Sequence, residues 1–416
     1  MRRRLNFLFI TTFYPPYHFG GDAVFTYRLA HLLGEEGHSV DVVHCIDAYH
    51  LLHPGKPEIV YAEHPNVHRH GLESGYGWLS PLLSQQTGKP LLKKNAINSL
   101  IKNNRYDVIH YHNISLFGPD VLSINPLNDQ VIKVYTTHEH WLICPTHVLW
   151  KFGSRPCEKP ECLICTIRAK RPPQVWRYTG MINKKCRFVD EFFSPSVFTA
   201  RMHKERGFPC QIDPLPYFVD RRDRDWQNPK LPHHPEPYFL FVGRLEWIKG
   251  LHTLIELWKQ VEGFDLLVAG GGSDEEKIRD LAISNPRIKF IGRQSLDDLG
   301  NYYYHAVATI VPSVTYETFG IVVAESFARK TPVIVRNLGA LPESVIESGG
   351  GYIYQTNDEL LEVIYKLGAS RELRNRLGEK GYQSFVAKYS AEAHLKMYFD
   401  RLNNIAERKF GTIPWN

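Results

Sequence analysis

Residues 238–282 read YFLFVGRLEWIKGLHTLIELWKQVEGFDLLVAGGGSDEEKIRDLA. The apolar run Tyr238–Gly243 predicts a strand, and the apolar spacing of Leu251–Val261 predicts a helix. A second strand, Asp265–Gly270, and a second helix, Glu275–Ser284, follow. Two strands joined in this way run parallel, because parallel neighbours need a long crossover connection. The stretch therefore predicts a βαβ unit.

The same alternation extends over both halves of the chain. Downstream it continues through Ile288–Gly292, Leu296–His305, Val307–Pro312, Gly320–Arg329 and Val333–Arg336. In the first half it runs through Leu5–Thr12, Asp22–Glu36, Ser39–Cys45, Val108–His112, Val131–Thr137, Glu191–Ser194 and Ser196–Arg206. Short strands that alternate with helices predict an α/β fold. We expect two doubly wound, Rossmann-like parallel-sheet domains that face each other across a cleft.

Proline content marks the boundary between the two domains. The stretch 216–237 holds five prolines, and proline continues neither a strand ladder nor a helix. We therefore predict an N-terminal domain over residues 1–215, a linker over 216–237 and a C-terminal domain over 238–390. Residues 391–416 are predicted to form a helix that crosses back to the N-terminal domain. Residues 138–187 fit neither alternation and are predicted to be an insertion.

Composition narrows the class of protein. The 416 residues are 43% apolar and 23% charged, which excludes a disordered, collagen-like or coiled-coil chain. No apolar run reaches the ~18 residues of a membrane-spanning helix, and the run Leu5–Ile10 is too short for a signal peptide. We expect a cytoplasmic protein. Its net charge of +6 suits phosphate-bearing ligands or an anionic membrane surface, and is too small to predict nucleic acid binding.

Two carboxylates eight residues apart give the strongest chemical signal. Glu317 comes after the strand Val307–Pro312, and Glu325 lies within the helix that follows. Gly320, between them, lets the backbone approach a ligand closely. The helix N-terminus offers free N–H groups to an anion. Paired carboxylates accept hydrogen bonds from vicinal hydroxyls, which sugars and riboses supply. The alternative is a pair of solvated helix carboxylates.

Two cations occupy a strand–helix junction upstream. Arg244 follows the strand Tyr238–Gly243, and Lys249 opens the next helix. A diphosphate leaving group needs charge-assisted hydrogen bonds as its negative charge develops. The alternative is two surface cations. In combination with the carboxylate pair, the cations favour a ligand that carries both phosphates and hydroxyls.

Several short motifs follow one another in a characteristic order. In the second half they are Gly243-Arg244 with Lys249-Gly250, Gly270-Gly271-Gly272, Phe290-Ile291-Gly292, Pro312-Ser313, Glu317 with Glu325, and Thr331-Pro332-Val333. In the first half they are Pro15-Pro16 with Gly20-Gly21, Leu29-Ala30 with Leu33, Gly37-His38 and Thr137-His138. In this order the chain resembles glycosyltransferase family 4 over most of its length outside the insertion. The resemblance implies a GT-B fold and a retaining enzyme that uses a nucleotide sugar.

For the second domain, the resemblance implies contacts to the sugar donor. Arg244 and Lys249 would hold the diphosphate. Glu317 would be a catalytic residue that contacts the sugar hydroxyls, and Glu325 would contact the ribose hydroxyls. The sugar–phosphate pocket would be lined by Thr318, Phe319, Gly320 and Ile321. The base would be contacted by Ile291, Gly292 and Arg293.

For the first domain, the resemblance implies fewer contacts. Gly20 and Gly21 would let the first strand–helix loop approach the phosphates, and His138 would be a catalytic residue beside the sugar. The alternatives are a simple tight turn and a satisfied loop histidine. His110 and His112 end another strand, and we expect them to have a core or supporting role.

The chain departs from the family pattern at two places. Lys330 stands where the family commonly has a glycine, and His305-Ala306 replaces a common Ala-Asp pair. Neither position is implied to contact the donor directly, so the expected activity stands.

Other functions fit the same loops less well. A dinucleotide-dependent dehydrogenase needs a Gly-x-Gly-x-x-Gly turn, and Gly270–Glu275 lacks that spacing. A sugar-nucleotide epimerase of similar architecture and a non-catalytic sugar-nucleotide sensor remain open as alternatives.

Four cysteines cluster within the insertion: Cys144, Cys157, Cys162 and Cys165. Thiolates at close spacing that end in Cys-x-x-Cys are typical of a structural zinc site with four protein ligands. A zinc clip would also help a stretch with few apolar residues to fold. An iron–sulfur cluster and free or redox-active thiols are the alternatives.

A basic run follows the cysteines. Between Arg168 and Arg187 the chain has no acidic residue, and Trp176 and Tyr178 are interleaved with the cations. Such a run can hold an anionic or lipid-linked acceptor, or can dock on anionic lipid headgroups. The alternative is a solvated basic face.

The expected reaction moves a sugar from a nucleoside diphosphate to an acceptor hydroxyl with retention of configuration. UDP is the expected carrier, with GDP next, and the product would be a cell-surface polysaccharide, glycolipid or glycoconjugate. No catalytic cofactor is expected, because Arg244, Lys249 and helix N-termini supply the charge at the diphosphate. The resemblance further implies that the departing phosphate oxygen takes the acceptor's proton on the same face of the sugar.

Overall fold

The computed structural model describes residues 3–53, 55–57, 61–126, 129–220 and 231–415. The chain divides into two compact units. The first comprises Met1–Leu215 with Met397–Asn416, and the second comprises Pro216–Lys396. Residues 221–230 of the predicted linker lie outside the described residues.

The first unit contains a seven-stranded sheet. Its strands and the small hairpin beside it are β1 (Asn6–Ile10), β2 (Ser39–Cys45), β3 (Val67–Leu72), β4 (Val108–Tyr111), β5 (Ile132–Thr136), β6 (Trp150–Lys151), β7 (Arg155–Pro156), β8 (Glu191–Ser194) and β9 (Ile212–Pro214). The sheet order is β3-β2-β1-β4-β5-β8-β9, and every pairing in it is parallel. The hairpin β6–β7 is antiparallel.

Helices connect these strands and cover the sheet of the first unit. They are α1 (Gly21–Glu35), α2 (Ile46–Leu52), α3 (Leu79–Thr87), α4 (Lys94–Asn103), α5 (Cys162–Arg168), α6 (Met181–Cys186) and α7 (Val197–Glu205). Because helices pack on both faces of a parallel sheet, its central strands are buried on both faces, as in β4 and β5. In β1, the residues from Phe7 to Ile10 are fully buried.

The second unit contains a six-stranded parallel sheet in the order β12-β11-β10-β13-β14-β15. Its strands are β10 (Tyr238–Val242), β11 (Asp265–Ala269), β12 (Ile288–Gly292), β13 (Thr309–Val311), β14 (Val333–Arg336) and β15 (Gly351–Tyr354). The helices are α8 (Leu251–Leu257), α9 (Glu275–Ala282), α10 (Leu296–His305), α11 (Ile321–Ala328), α12 (Leu341–Ser348), α13 (Asn357–Ala369), α14 (Arg371–Ser384) and α15 (Ala391–Phe410). The predicted α/β class with two Rossmann-like parallel-sheet domains is confirmed.

Helix α15 begins in the second unit and, from Met397 onward, belongs to the first. There the ring of Tyr398 stacks on His110 with 5.5 Å between ring centroids, and its hydroxyl lies 3.0 Å from His110 Nδ1. Leu402 and Ile405 are fully buried. The core of the first unit is therefore built from both ends of the sequence.

The insertion folds against the rest of the first unit. Trp141, Trp176 and Ile182 are buried in the same apolar cluster as residues of β1 and β4. Distant core contacts supply the stabilisation that its own short elements lack.

A buried ion pair joins α2 to the segment before α4. Lys93 Nζ lies 2.5 Å from Asp47 Oδ2, and both side chains are almost fully buried. Lys93 also donates to the hydroxyl of Ser80, and the backbone N–H of Ser74 donates to Asp47 at 3.2 Å. Each charge is thus compensated, as a buried ionic group requires.

Among the described helices, none is long and apolar enough to cross a membrane.

Replacing one partner of this pair should destabilise the first unit. In Lys93→Met, Asp47 stays buried without its counter-charge, so the free energy of unfolding should fall by about 3–5 kcal/mol. Chemical denaturation measures the change. The matched control is Lys259→Met, which breaks the exposed pair with Glu256 and should cost less than about 1 kcal/mol.

The double variant Lys93→Met with Asp47→Leu should recover part of the loss, because an apolar pair leaves no buried charge. Equal effects of Lys93→Met and the control would contradict the structural role assigned to the buried pair.

Candidate active site

The candidate site lies where the strand order of the second sheet reverses. Strand β10 has β11 on one side and β13 on the other, so the loops after β10 and β13 leave the sheet in different directions. In open α/β sheets, ligands bind outside the carboxyl ends of the strands at such a point. Lys249 follows β10 and Glu317 follows β13.

Structure brings these two residues into contact. Lys249 Nζ lies 2.6 Å from Glu317 Oε1, and the hydroxyl of Ser313 donates to the same oxygen at 2.6 Å. Both charged side chains are mostly buried. A cation and a carboxylate predicted separately from sequence therefore form one polar centre, to which Ser313 adds a donor that the sequence interpretation had not singled out.

Electrostatics keeps Glu317 ionised. Burial alone would raise the pKa of Glu317, but the charge of Lys249, the hydrogen bonds from Lys249 and Ser313, and the charge of Arg244 outweigh it. The pKa is thus held below its ordinary value, and the side chain is a carboxylate at neutral pH. A carboxylate only accepts hydrogen bonds, here from the ammonium of Lys249 and the hydroxyl of Ser313.

Close backbone packing fixes the Lys249 loop. Gly250 has φ +75°, and a Cβ there would overlap the carbonyl oxygen of Pro312. The N–H of Val314 donates to the carbonyl of Ile248 at 3.0 Å. Only glycine allows the loop after β10 to approach the loop after β13 so closely. The glycine of the Lys-Gly motif thus positions the preceding lysine.

Arg336 supports the same place and was missed by sequence reasoning. Its Nε donates to the Pro312 carbonyl at 3.0 Å, and its Nη2 donates to Thr253 Oγ1 at 3.1 Å. It thereby ties the loop after β13 to helix α8. The sequence does contain a signal for Arg336, because it is a cation at the end of a predicted strand of the parallel sheet.

Arg244 is about half exposed and pairs with Glu246 at 2.6 Å. The glycine-rich turn after β11 holds the loop that carries it: the N–H of Leu245 donates to Gly271 at 3.1 Å, and the N–H of Asp274 donates to Leu245 at 3.0 Å. A Cβ on Gly272 would come within 2.6 Å of the Leu245 carbonyl oxygen. The glycines therefore support the Arg244 loop.

Helix α11 carries the second predicted carboxylate. Gly320 is its N-cap, with φ +84°, and the Phe319 ring is buried against Tyr217 and Tyr389 at centroid distances of 5.2 and 5.7 Å. The phenyl ring anchors the loop that precedes the helix N-terminus. The residues Ile321 and Glu325 lie in the first two turns of α11.

Tyr303 orients Glu325. The buried hydroxyl of Tyr303, on α10, donates to Glu325 Oε2 at 2.9 Å. Sequence reasoning had not assigned this tyrosine. The segment Ile291–Arg293 ends β12 at the same edge of the sheet, where the N–H of Gly270 donates to the carbonyl of Gly292 at 2.8 Å.

In the first unit, His138 follows β5 and is buried. Its Nε2 lies 2.8 Å from Nδ1 of His112. His112 directly follows β4 and is fully buried. Burial lowers the pKa of His138 to about 4, although the negative charge of Asp22 opposes this. The imidazole is therefore neutral at pH 7, and His112 fixes its orientation.

The loop before α1 reaches the same edge of the first sheet. Gly20 caps α1 and Gly21 begins it. Asn113, after β4, donates through Nδ2 to Asp22 Oδ2 at 2.9 Å, which ties this loop to the neighbouring one. Gly20 and Gly21 thus come after β1, and His138 comes after β5. These two strands lie on either side of β4 in the sheet.

The cysteines do not form a preformed metal centre. Within the described ranges, no three or more His, Cys, Asp or Glu side chains are arranged to hold a metal ion. All four thiols, Cys144, Cys157, Cys162 and Cys165, are free. Burial, followed by the neighbouring Cys144, raises the pKa of the Cys157 and Cys162 thiols. The structure gives the predicted zinc clip no support.

Two family descriptions match consecutive parts of the chain. Residues 19–223 match Glycosyltransferase Family 4, and residues 223–384 match Glycosyl transferases group 1. An uncharacterized glycosyltransferase of Methanocaldococcus jannaschii is 26% identical over 84% of this chain and 85% of its own length. A second one from that archaeon is 34% identical, over 37% of this chain and 44% of its own length.

The lipopolysaccharide core biosynthesis glycosyltransferase LpsE of Rhizobium meliloti is 32% identical over 40% of this chain and 49% of its own length. The match therefore covers less than half of the length of two of these three relatives.

Solved structures share the fold over nearly the whole chain. Sucrose-phosphate synthase of Thermosynechococcus elongatus superposes with a TM-score of 0.69 and 20% identity, over 96% of this chain and 99% of that one. Anabaena HepE in complex with UDP-glucose superposes with a TM-score of 0.67 and 15% identity, over 96% and 100%. The matched segments indicate a glycosyltransferase, and the solved structures share its fold. Its N-terminal part is similar to glycosyltransferase family 4 and its C-terminal part to group 1.

The lowered pKa of Glu317 predicts how the stability of the second unit depends on pH. The pKa of a glutamate side chain in the unfolded chain is about 4.3, and the pKa of Glu317 in the folded unit is lower. The ion pair therefore stabilises the fold above that pH, and its contribution is lost as the pH falls through the folded pKa. The difference in unfolding free energy between wild type and Glu317→Gln should be constant from about pH 7 to 5 and shrink below about pH 4.

Denaturation at a series of pH values measures this difference. The matched control is Glu256→Gln, at an exposed ion pair, which should shift stability little at any pH. A wild-type advantage that grows towards acid pH would contradict the electrostatics assigned to Glu317.

Proposed function

We propose that this enzyme transfers a sugar from a nucleoside diphosphate to an acceptor hydroxyl with retention of anomeric configuration. The observation that carries the proposal is the contact of Lys249 with Glu317 at the switch point of the second sheet. The proposal assigns phosphate binding to the cation and hydroxyl binding to the neighbouring carboxylate, and a nucleotide sugar carries both phosphates and hydroxyls. UDP is the proposed carrier, with GDP next, and HepE, of the same fold, was crystallised with UDP-glucose.

In this proposal the diphosphate is held by Arg244 and Lys249. Negative charge grows on the leaving phosphate as the glycosidic bond breaks, and charge-assisted hydrogen bonds stabilise it most at that moment. Lys249 is partly shielded from solvent, which strengthens its electrostatic effect. Arg244 is more exposed and pairs with Glu246, so it can turn to a phosphate at little cost.

The sugar and the ribose are proposed to contact the two carboxylates. Glu317 accepts hydrogen bonds from sugar hydroxyls, and Glu325 accepts them from the ribose. The backbone from Thr318 to Ile321 is proposed to line the sugar–phosphate pocket, with the N-terminus of α11 directed at the phosphate. The segment Ile291–Arg293 is proposed to face the base.

The first unit is proposed to contribute His138, Gly20 and Gly21. A neutral imidazole can donate one hydrogen bond to a sugar hydroxyl without adding charge to the site. The proposed mechanism has no protein nucleophile. The departing phosphate oxygen takes the proton of the acceptor hydroxyl while the new bond forms on the face that the phosphate leaves, so configuration is retained.

The product is proposed to be a cell-surface polysaccharide or glycolipid. The relative LpsE is named for lipopolysaccharide core biosynthesis, and others are named for O-antigen and amylovoran synthesis. The acceptor is then a sugar hydroxyl, and in such products it is carried on a lipid or a growing chain.

Removing either charge of the central pair should abolish transfer. Lys249→Ala and Glu317→Ala should each lower kcat/KM by about 10²–10³-fold, the effect typical of lost electrostatic stabilisation. Release of UDP from UDP-sugars, with and without a polysaccharide acceptor, measures turnover. Lys259→Ala, which removes a cation from an exposed pair in the same unit, is the control and should keep full turnover. Near-normal turnover of either site variant would refute the assignment.

The role of Glu325 can be separated from a general loss of structure. Glu325→Ala should weaken UDP binding about tenfold, through lost hydrogen bonds to the ribose. The same substitution should leave the affinity for 2′,3′-dideoxyuridine diphosphate unchanged, because that ligand lacks both hydroxyls. Isothermal titration measures both affinities. Equal losses for the two ligands would show that Glu325 does not contact the ribose.

A further inference from the structure

Helix α5 exposes its apolar side. Leu163, Ile164 and Ile167 lie on one face of the helix and are 49%, 51% and 59% exposed. The buried side carries Thr166, whose hydroxyl donates to the backbone carbonyl of Cys162. A surface helix normally buries its apolar stripe and exposes polar residues. The orientation of α5 is the reverse.

The segment after α5 continues this exposed apolar surface. Val175 and Tyr178 are 67% and 68% exposed. The N–H of Arg171 donates to the carbonyl of Thr166 at 3.0 Å, which closes the C-terminal end of α5 just before this segment. We call the surface formed by Leu163, Ile164, Ile167, Lys170, Arg171, Val175 and Tyr178 the basic apolar face.

Charge on and around this face has one sign. From Cys162 to Phe188 the chain has seven cations and no acidic residue. Five of the cations are exposed: Arg168, Lys170, Arg171, Lys184 and Arg187. A stretch of this kind attracts a surface that carries many negative charges.

Specific contacts hold the face in place. Trp176 is buried, and its indole N–H donates to the carbonyl of Gln85 on α3 at 2.7 Å. The guanidinium of Arg168 lies 4.5 Å from the centre of the Phe152 ring, in the turn of the β6–β7 hairpin. The exposure of the aliphatic side chains is therefore a property of the folded unit.

We propose that the basic apolar face docks on an anionic lipid bilayer. The aliphatic side chains enter the boundary between headgroups and acyl chains, and the cations pair with lipid phosphates. An acidic protein surface would satisfy the cations and leave the aliphatic face in contact with polar groups, so the combination favours lipid. This inference goes beyond the proposed function, and its test uses no sugar donor.

Co-sedimentation of the full-length protein with vesicles tests the proposal. Wild type should bind vesicles of mixed phosphatidylglycerol and phosphatidylcholine and bind pure phosphatidylcholine at least about tenfold more weakly. Lys170→Gln with Arg171→Gln should lower binding to the anionic vesicles about tenfold at low salt. Because salt screens charges, this loss should disappear at high salt.

The apolar contribution behaves differently. Ile164→Gln with Ile167→Gln should lower binding about tenfold at both low and high salt, since burial of aliphatic groups is not screened. The matched control is Ile283→Gln with Ile346→Gln, which replaces two isoleucines that are 86% and 73% exposed in the second unit. The control should bind as wild type does, and circular dichroism and melting temperature check that each variant is folded.

Two results would overturn the proposal. One is binding of the Ile164→Gln, Ile167→Gln variant to anionic vesicles at the wild-type level. The other is wild type that ignores vesicles but forms a dimer in analytical ultracentrifugation that the same double substitution dissociates. That second result would assign the face to another copy of the chain.

Discussion

The ion pair between Lys249 and Glu317 is the contact on which the proposed chemistry depends. Its two members lie 68 residues apart and follow different strands, so the pair forms only if the sheet places β10 beside β13. The loops must then approach closely, which requires glycine at position 250 and the bracing contacts of Arg336. The fold of the second unit thus brings two opposite charges together and holds the pKa of Glu317 below its ordinary value.

Much of this arrangement could be predicted from sequence. Alternating apolar runs such as Tyr238–Gly243 and Asp265–Gly270 predict parallel strands, and functional side chains of parallel strands collect at one edge. The sequence therefore predicts Lys249 and Glu317 as site residues. It does not predict Ser313 and Tyr303, because only the tertiary structure shows which hydroxyl groups contact the two carboxylates.

The insertion shows what local patterns could not reveal. Cysteine spacing suggested a zinc clip, whereas burial of Trp141 and Trp176 in a distant core supplies the stabilisation. Periodicity likewise identifies the apolar side of a helix but does not say what covers it. Lys330 is a milder case: it adopts the positive φ of 56° suited to the glycine of the family pattern, and its ammonium pairs with Glu379 at 2.8 Å.

The discontinuous first unit has a consequence for synthesis on the ribosome. Tyr398, Leu402 and Ile405 complete a core whose other residues are translated some three hundred positions earlier. The second unit, by contrast, is one continuous segment. Its residues are all translated before the end of α15, whereas the first unit lacks these three core residues until α15 has been synthesised. The order of completion therefore runs opposite to the order of translation.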